Sequence, residues 1–169
     1  KLEKRRAGPK AGGLNLEGVT ARADGALLLG LRSPLLGGCA ALVPLLNPDE
    51  VLEGRERARF AAPIALDLQG NGIRDLTYHR VRRCYVILGG ASRRGTGRAL
   101  YVWSGRTGDE PVPVGTALPQ DFNAEALFVD EHVGCVRVFS DDGARYVTLG
   151  DGKRWMNKQS KDARRSFRS

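Results

Sequence analysis

The sequence predicts an all-β protein, β-propeller-like, with about three four-stranded antiparallel blades, and three observations lead there. Short runs of alternating apolar and polar residues, rich in β-branched side chains, are separated by Gly, Pro and Asp-Gly turns. No stretch of ten or more residues holds a convincing helical period. The runs come in groups of four, and the groups resemble one another at the spacing of propeller blades.

Taken in order, strands are expected at 14–22, 26–32, 39–46 and 61–68, then at 72–80, 83–89, 98–104 and 111–117, then at 123–130, 133–140 and 144–149. The first strands align as Leu14 to Thr20, Gly72 to Thr77 and Phe122 to Phe128, so that each unit opens with a carboxylate: Glu17, Asp75 and Glu125. Their spacings are 58 residues (75 − 17) and 50 residues (125 − 75). The second strands align as Ala26 to Leu31, Cys84 to Gly90 and Cys135 to Ser140, and the third as Ala40 to Leu45, Ala99 to Trp103 and Arg145 to Leu149. Short turns such as Ala23-Asp24-Gly25 join first to second strands, as tight hairpins require. The third unit is expected to lose its fourth strand into a basic C-terminal tail.

The expected organisation is a basic tail at 1–10, a propeller segment at 11–152 with blades at about 11–70, 71–120 and 121–152, and a second basic tail at 153–169. A single blade cannot cover both faces of its own sheet, so blades stack and their first strands line a common axis. Three blades leave two faces open. Either the remainder of a longer chain closes the ring, or two copies pair as a homodimer into a six-bladed ring.

Net charge is +8, and its distribution decides what it means. Residues 1–10 carry +4 and residues 153–169 carry +6, which leaves the body at −2. A nucleic-acid footprint would interleave Lys and Arg with aromatics on ordered elements, so nucleic acid is not the expected partner. The longest apolar runs, Ala26 to Leu29 and Cys39 to Leu46, are far too short for a spanning helix, and no membrane span is expected. Three cysteines, Cys39, Cys84 and Cys135, have neither metal-ligand spacing nor an even count, and read as buried free thiols. That favours a soluble protein in a reducing, cytoplasmic setting. A start at Lys1 leaves open a removed leader or a piece of a longer protein.

Glu17, Asp75 and Glu125 are expected to converge at one mouth of the axis. Converging carboxylates repel unless something balances them, and a hard cation such as Ca2+, with Asn15, Asn123 and backbone carbonyls completing its shell, is one way. Capping of adjacent backbone N–H groups, or pairing with Arg32 or Arg74, is the other. Asp24-Gly25, Asp142-Gly143 and Asp151-Gly152 are turn chemistry rather than metal loops. No Gly-x-Ser-x-Gly, His-Glu-x-x-His or Walker phosphate loop occurs. His79 and His132 are expected to be solvated at strand ends or hairpins, and a triad with Ser33 would need a tertiary proximity that the sequence does not demonstrate. Of Tyr101 and Trp103, one is expected between blades and one facing out, and Trp155 is expected to cover a sheet face.

The run Gly13 to Val19, followed by Ala23 to Pro34, resembles a bacterial family of unknown function, domain of unknown function 3616. Leu45-Leu46-Asn47-Pro48, Gly72-Ile73-Arg74, Glu125-Ala126-Leu127, Ser140 to Gly143 and Phe167-Arg168-Ser169 extend the resemblance to about residues 11–169. The family is similar to esterase-like, phytase-type propellers, and that likeness implies calcium held by channel carboxylates and phosphate-bearing substrates. Here only three such carboxylates stand at matching positions, without dense acidic runs. The leading expectation is therefore a propeller module binding a ligand, cation or partner at the mouth. A metal-assisted phosphoester or ester hydrolase, and a scaffold whose basic tails meet acidic partners, stand as alternatives.

Overall fold

A computed structural model describes residues 13–91, 97–115, 118, 122–141, 146–148 and 154–156. The expected tails, apart from 154–156, and the Asp142-Gly143 and Asp151-Gly152 turns lie outside these residues. The described chain is almost wholly β. Its first sheet is a meander of β1 (Asn15–Ala21), β2 (Leu27–Leu36), β3 (Cys39–Leu45) and β4 (Ile64–Leu66), in that spatial order. A second four-stranded meander follows: β5 (Asn71–His79), β6 (Cys84–Ala91), β7 (Ala99–Trp103) and β8 (Val112–Pro113). The third unit begins with a hairpin of β9 (Ala124–Asp130) and β10 (Cys135–Ser140). All these pairings are antiparallel.

Two features depart from the sequence-based expectation. A one-turn helix, α1 (Pro48–Leu52), interrupts the connection between β3 and β4. Its loop is tied by the buried Asn47, whose amide donates to Arg57 O at 3.0 Å and accepts from Arg59 N at 2.8 Å. In the third unit, β11 (Tyr146–Thr148) pairs with β12 (Arg154–Met156) in a sheet of its own. Among the described residues it is not a third strand beside β10, and the segment expected as tail supplies a strand. Trp155 lies on β12, and its side chain is outside the described part.

The three units stack in chain order through their first strands. β5 packs against β1 and β2 on one side and against β9 on the other. Period two explains how β6 serves both neighbours, because successive side chains point to opposite faces. Tyr85 and Ile87 join Leu28, Leu42, Leu66, Ile73 and Leu76 in the core between the first two sheets. Val86 and Leu88 join Leu100, Phe122 and Ala124 in the core facing the third unit. A strand covered on both faces has no polar side, and every residue from Cys84 to Gly90 is buried.

Tyr101 and Trp103 both lie in the first core, each 1% exposed, which corrects the expectation that one faces out. Residues two apart on a strand share a face. Trp103 stacks on Tyr85 at 5.4 Å between centroids and donates to Asp109 O, while the Tyr101 hydroxyl donates to Leu68 O. The cysteines are free; Cys84 is buried, whereas Cys39 and Cys135 are half-buried rather than fully enclosed.

Candidate functional site

The strand registers show a device that alternation alone does not reveal. In β1, Leu16 pairs with Leu31 and Gly18 with Gly30, so Glu17 has no partner across the ladder. In β5, Ile73 pairs with Gly89 and Asp75 with Leu88, leaving Arg74 over. In β9, Ala126 pairs with Phe139 and Ala124 with Ser140, leaving Glu125 over. Each first strand thus carries a β-bulge at the same level, a feature that re-aims a side chain and sharpens the local twist. The bulged residues are Glu17, Arg74 and Glu125, 57 (74 − 17) and 51 (125 − 74) residues apart. The structural equivalent of the two glutamates is therefore Arg74, and the alignment that placed Asp75 in that frame is one residue out.

Around these bulges the charged side chains interlock. Glu17 Oε1 accepts from Arg32 Nη1 at 2.8 Å and from Asn15 Nδ2 at 2.9 Å. Arg32 is itself an extra residue in β2, between the pairs Leu31 with Leu16 and Ser33 with Asn15. Its Nε reaches Ala91 O of the second sheet at 3.4 Å. Arg74 is 8% exposed; it pairs with Glu125 and donates to Ala124 O at 3.5 Å, joining the second unit to the third. The absence of a side chain at Gly90 makes room for it, since a Cβ there would lie 2.5 Å from Arg74 Nε.

Arg98, just before β7, hydrogen-bonds Asn123 Oδ1, and Asn123 is held in turn by its Nδ2 donating to Asp141 O at 3.0 Å. Burial and then the neighbouring Arg74 guanidinium lower the Arg98 pKa from the usual arginine value; Glu125 opposes this and Arg32 adds to it. Arg98 thus lies within the field of Arg32, Arg74 and Glu125. Arg98 was invisible to sequence reasoning, because it belongs to no repeat position singled out and meets the rim only through the fold.

Asp75 does something else. Its Oδ2 accepts from Leu127 N of β9 at 2.7 Å, and its Oδ1 from Leu76 N at 2.8 Å. Burial raises its pKa despite those two donors. Among the described residues, no group of three or more His, Cys, Asp or Glu gathers at distances suited to a metal ion. Glu17, Asp75 and Glu125 instead face an arginine, a backbone N–H and an arginine respectively. Of the residues singled out from sequence, Asn15, Glu17 and Arg32 come together, as do Arg74 and Glu125, with Asn123 joining through Arg98.

His79 corrects a second expectation: it is 2% exposed at the far end of β5, with Nδ1 3.2 Å from Glu131 of the third unit. Glu131 also accepts from Arg80 N at 2.7 Å, so this contact clamps the hairpin end of the third unit to the second. His132 is exposed. Ser33 is buried and donates to Gly13 O at 2.8 Å, which engages its hydroxyl structurally.

Fold and site together define an all-β protein of serially stacked antiparallel sheets with a charged rim on its first strands. The chain matches the family described as a protein of unknown function (DUF3616) over residues 6–119, and it belongs to that family. No curated protein and no solved structure matches it. No helix among the described residues is long and apolar enough to cross a membrane.

Proposed function

We propose that this chain is a ligand-binding module of β-propeller type, its sheets being successive blades and its ligand site the rim of bulged residues. One observation carries the reading. The same bulge recurs in all three first strands and gathers charged side chains, of which the buried Arg74 Nε and Glu17 Oε2 have no hydrogen-bond partner among the described residues. A buried polar group without a partner costs about 1–3 kcal/mol, more when it is charged. Two of the three bulges leave such an atom, a costly way to build a merely structural edge. Stacking in chain order through β1, β5 and β9 supports the blade reading.

The experiment is a thermal-shift and calorimetric screen of neutral, anionic and cationic small molecules, Ca2+ included, on the wild type and on Arg74→Ala and Glu17→Ala. At least one compound should bind the wild type saturably and lose that binding in a rim variant that still melts cooperatively. A screen in which no compound's binding depends on the rim overturns the reading.

A second reading concerns a partner, a second copy of the chain. By strand register, Val19, Leu27 and Leu29 of the first sheet occupy the positions of Leu76, Tyr85 and Ile87 of the second. The latter three lie in or against the core between the two sheets, whereas Val19 is exposed and Leu27 and Leu29 are half-buried. At the other end of the stack, Phe128 and Phe139 are exposed on the third unit. Two copies related by a two-fold axis would set each open front on the partner's open back, closing six units. Light scattering should give a dimeric mass that Val19→Glu abolishes. A monomeric wild type overturns this.

A further inference from the structure

We infer that the rim's ligand carries an oxyanion, a carboxylate or a phosphate, received between Arg98 and Arg74. This rests on the rim being a ligand site and names the chemistry of what it takes. The described contacts set three guanidinium groups, Arg32, Arg74 and Arg98, against two carboxylates, Glu17 and Glu125. Arg32 and Arg74 have their own acids. Arg98 is hydrogen-bonded to a neutral amide, and the one acid among the described residues that acts on it, Glu125, is already paired with Arg74, whose guanidinium repels Arg98.

Like charges in a partly desolvated site are tolerated when a counter-charge can reach them, and the fork of a guanidinium matches paired oxygens. Two donors are without a partner among the described residues, Nε of Arg98 and Nε of the nine-tenths-buried Arg74. A third orphan is of the opposite kind. Glu17 Oε2 is a buried acceptor with no donor among the described residues, on the carboxylate whose other oxygen holds Arg32. The two donors suit an acidic group on the ligand, and the unmet acceptor of Glu17 suits a hydroxyl or ammonium group. A bare cation would answer the acceptor and leave both guanidinium donors unmet, and its charge would add to a surplus already positive.

The test is calorimetric titration at constant ionic strength with citrate, inorganic phosphate and CaCl2 as separate probes. It uses the wild type, Arg98→Gln, Arg98→Lys and the charge-matched control Arg164→Gln, with melting curves to confirm folding. The expected result is saturable binding of one oxyanion, weakened about tenfold to a hundredfold in Arg98→Gln. Arg98→Lys should recover only part of it, because the charge returns without the fork. Arg164→Gln should match the wild type. Citrate and phosphate separate a carboxylate from a phosphate ligand. Equal weakening in Arg98→Gln and Arg164→Gln, or no saturable oxyanion binding, overturns the inference by assigning any effect to the chain's net positive charge. If a neutral or cationic compound binds and depends on Arg74 or Glu17, the oxyanion fails while the rim remains a ligand site. If no compound of any class depends on the rim, both fall.

Discussion

Gly72 of the second sheet lies directly against the Arg32 backbone of the first, and replacing it with alanine is the sharpest test of the stack. A Cβ at Gly72 would lie 2.6 Å from the carbonyl carbon of Arg32 and 2.7 Å from its Cα, and closer still to its oxygen. Ordinary contact begins at 3.4 Å, which leaves the new methyl about 0.8 Å short of it against the carbonyl carbon (3.4 − 2.6) and further short against the oxygen. Everything it meets is backbone of β2, so no rotamer change relieves the clash. The two sheets must part, or β5 must move within its own ladder. The backbone angle at Gly72 is not in the left-handed region, so the penalty is steric and not conformational. Overpacking of this kind costs roughly 1–3 kcal/mol, and a rigid backbone obstacle belongs at the upper end. With an m-value of about 2 kcal/mol/M in urea, about 3 kcal/mol moves the unfolding midpoint down by about 1.5 M. Gly115→Ala is the control, because nothing lies within 4 Å of its Cβ position, and it should be neutral or stabilising by up to about 1 kcal/mol. If Gly72→Ala unfolds at the wild-type midpoint, β2 and β5 are not in contact and the stacked arrangement is wrong.

Other outcomes follow from particular contacts. Gly90→Ala should evict the Arg74 side chain and weaken its link to Glu125, lowering stability by about 1–3 kcal/mol in urea; combining it with Glu125→Ala should be clearly less than additive. Glu125→Gln leaves three guanidinium groups facing one carboxylate, so oxyanion binding measured by calorimetry should tighten, whereas removal of a ligand-binding acid would abolish it. Trp103→Ala empties a fully buried site between the first two sheets and should cost about 3–5 kcal/mol, read from the same midpoints. Asp75 has a folded pKa raised above 3.8, so the folded form holds the proton more tightly than the unfolded chain does. Its titration therefore contributes stability that is complete below pH 3.8 and is lost as pH rises through the folded pKa. The stability of the wild type relative to Asp75→Asn, measured in urea from pH 3 to pH 7, should accordingly decline with rising pH.

Strand positions were legible because the physics that sets them is local. Alternation and turn glycines mark β1, β2, β5, β6 and β9 to within two residues at most ends. α1 was not legible, since five residues are too few to display a 3.6-residue period and Pro48 at its start resembles a loop signal. Tyr101 and Trp103 were separable only by counting parity, which places both on one face. His79 looked solvated because it ends a strand; it is covered by the hairpin turn of another unit, which no local pattern announces. The same holds for Arg98, whose partner Asn123 is 25 residues away on the neighbouring unit.

The misplacement of Asp75 has a physical cause that bears on function. Sequence alignment matches like with like, so it drew a carboxylate in the second unit opposite the carboxylates of the first and third. Hydrogen-bond registers match position with position, and they put an arginine there. A ring of three acids would demand a cation, and the register describes instead an alternation of Glu17, Arg74 and Glu125. Alternating signs let one unit's bulge answer the next, as Arg74 does with Glu125, so the charges that join the units are the ones that line the rim. Joining and lining make different demands on an arginine. A strut needs every donor met by protein, whereas a receptor keeps donors in reserve, and the Nε atoms of Arg74 and Arg98, without a partner among the described residues, are why the ligand-binding reading is proposed.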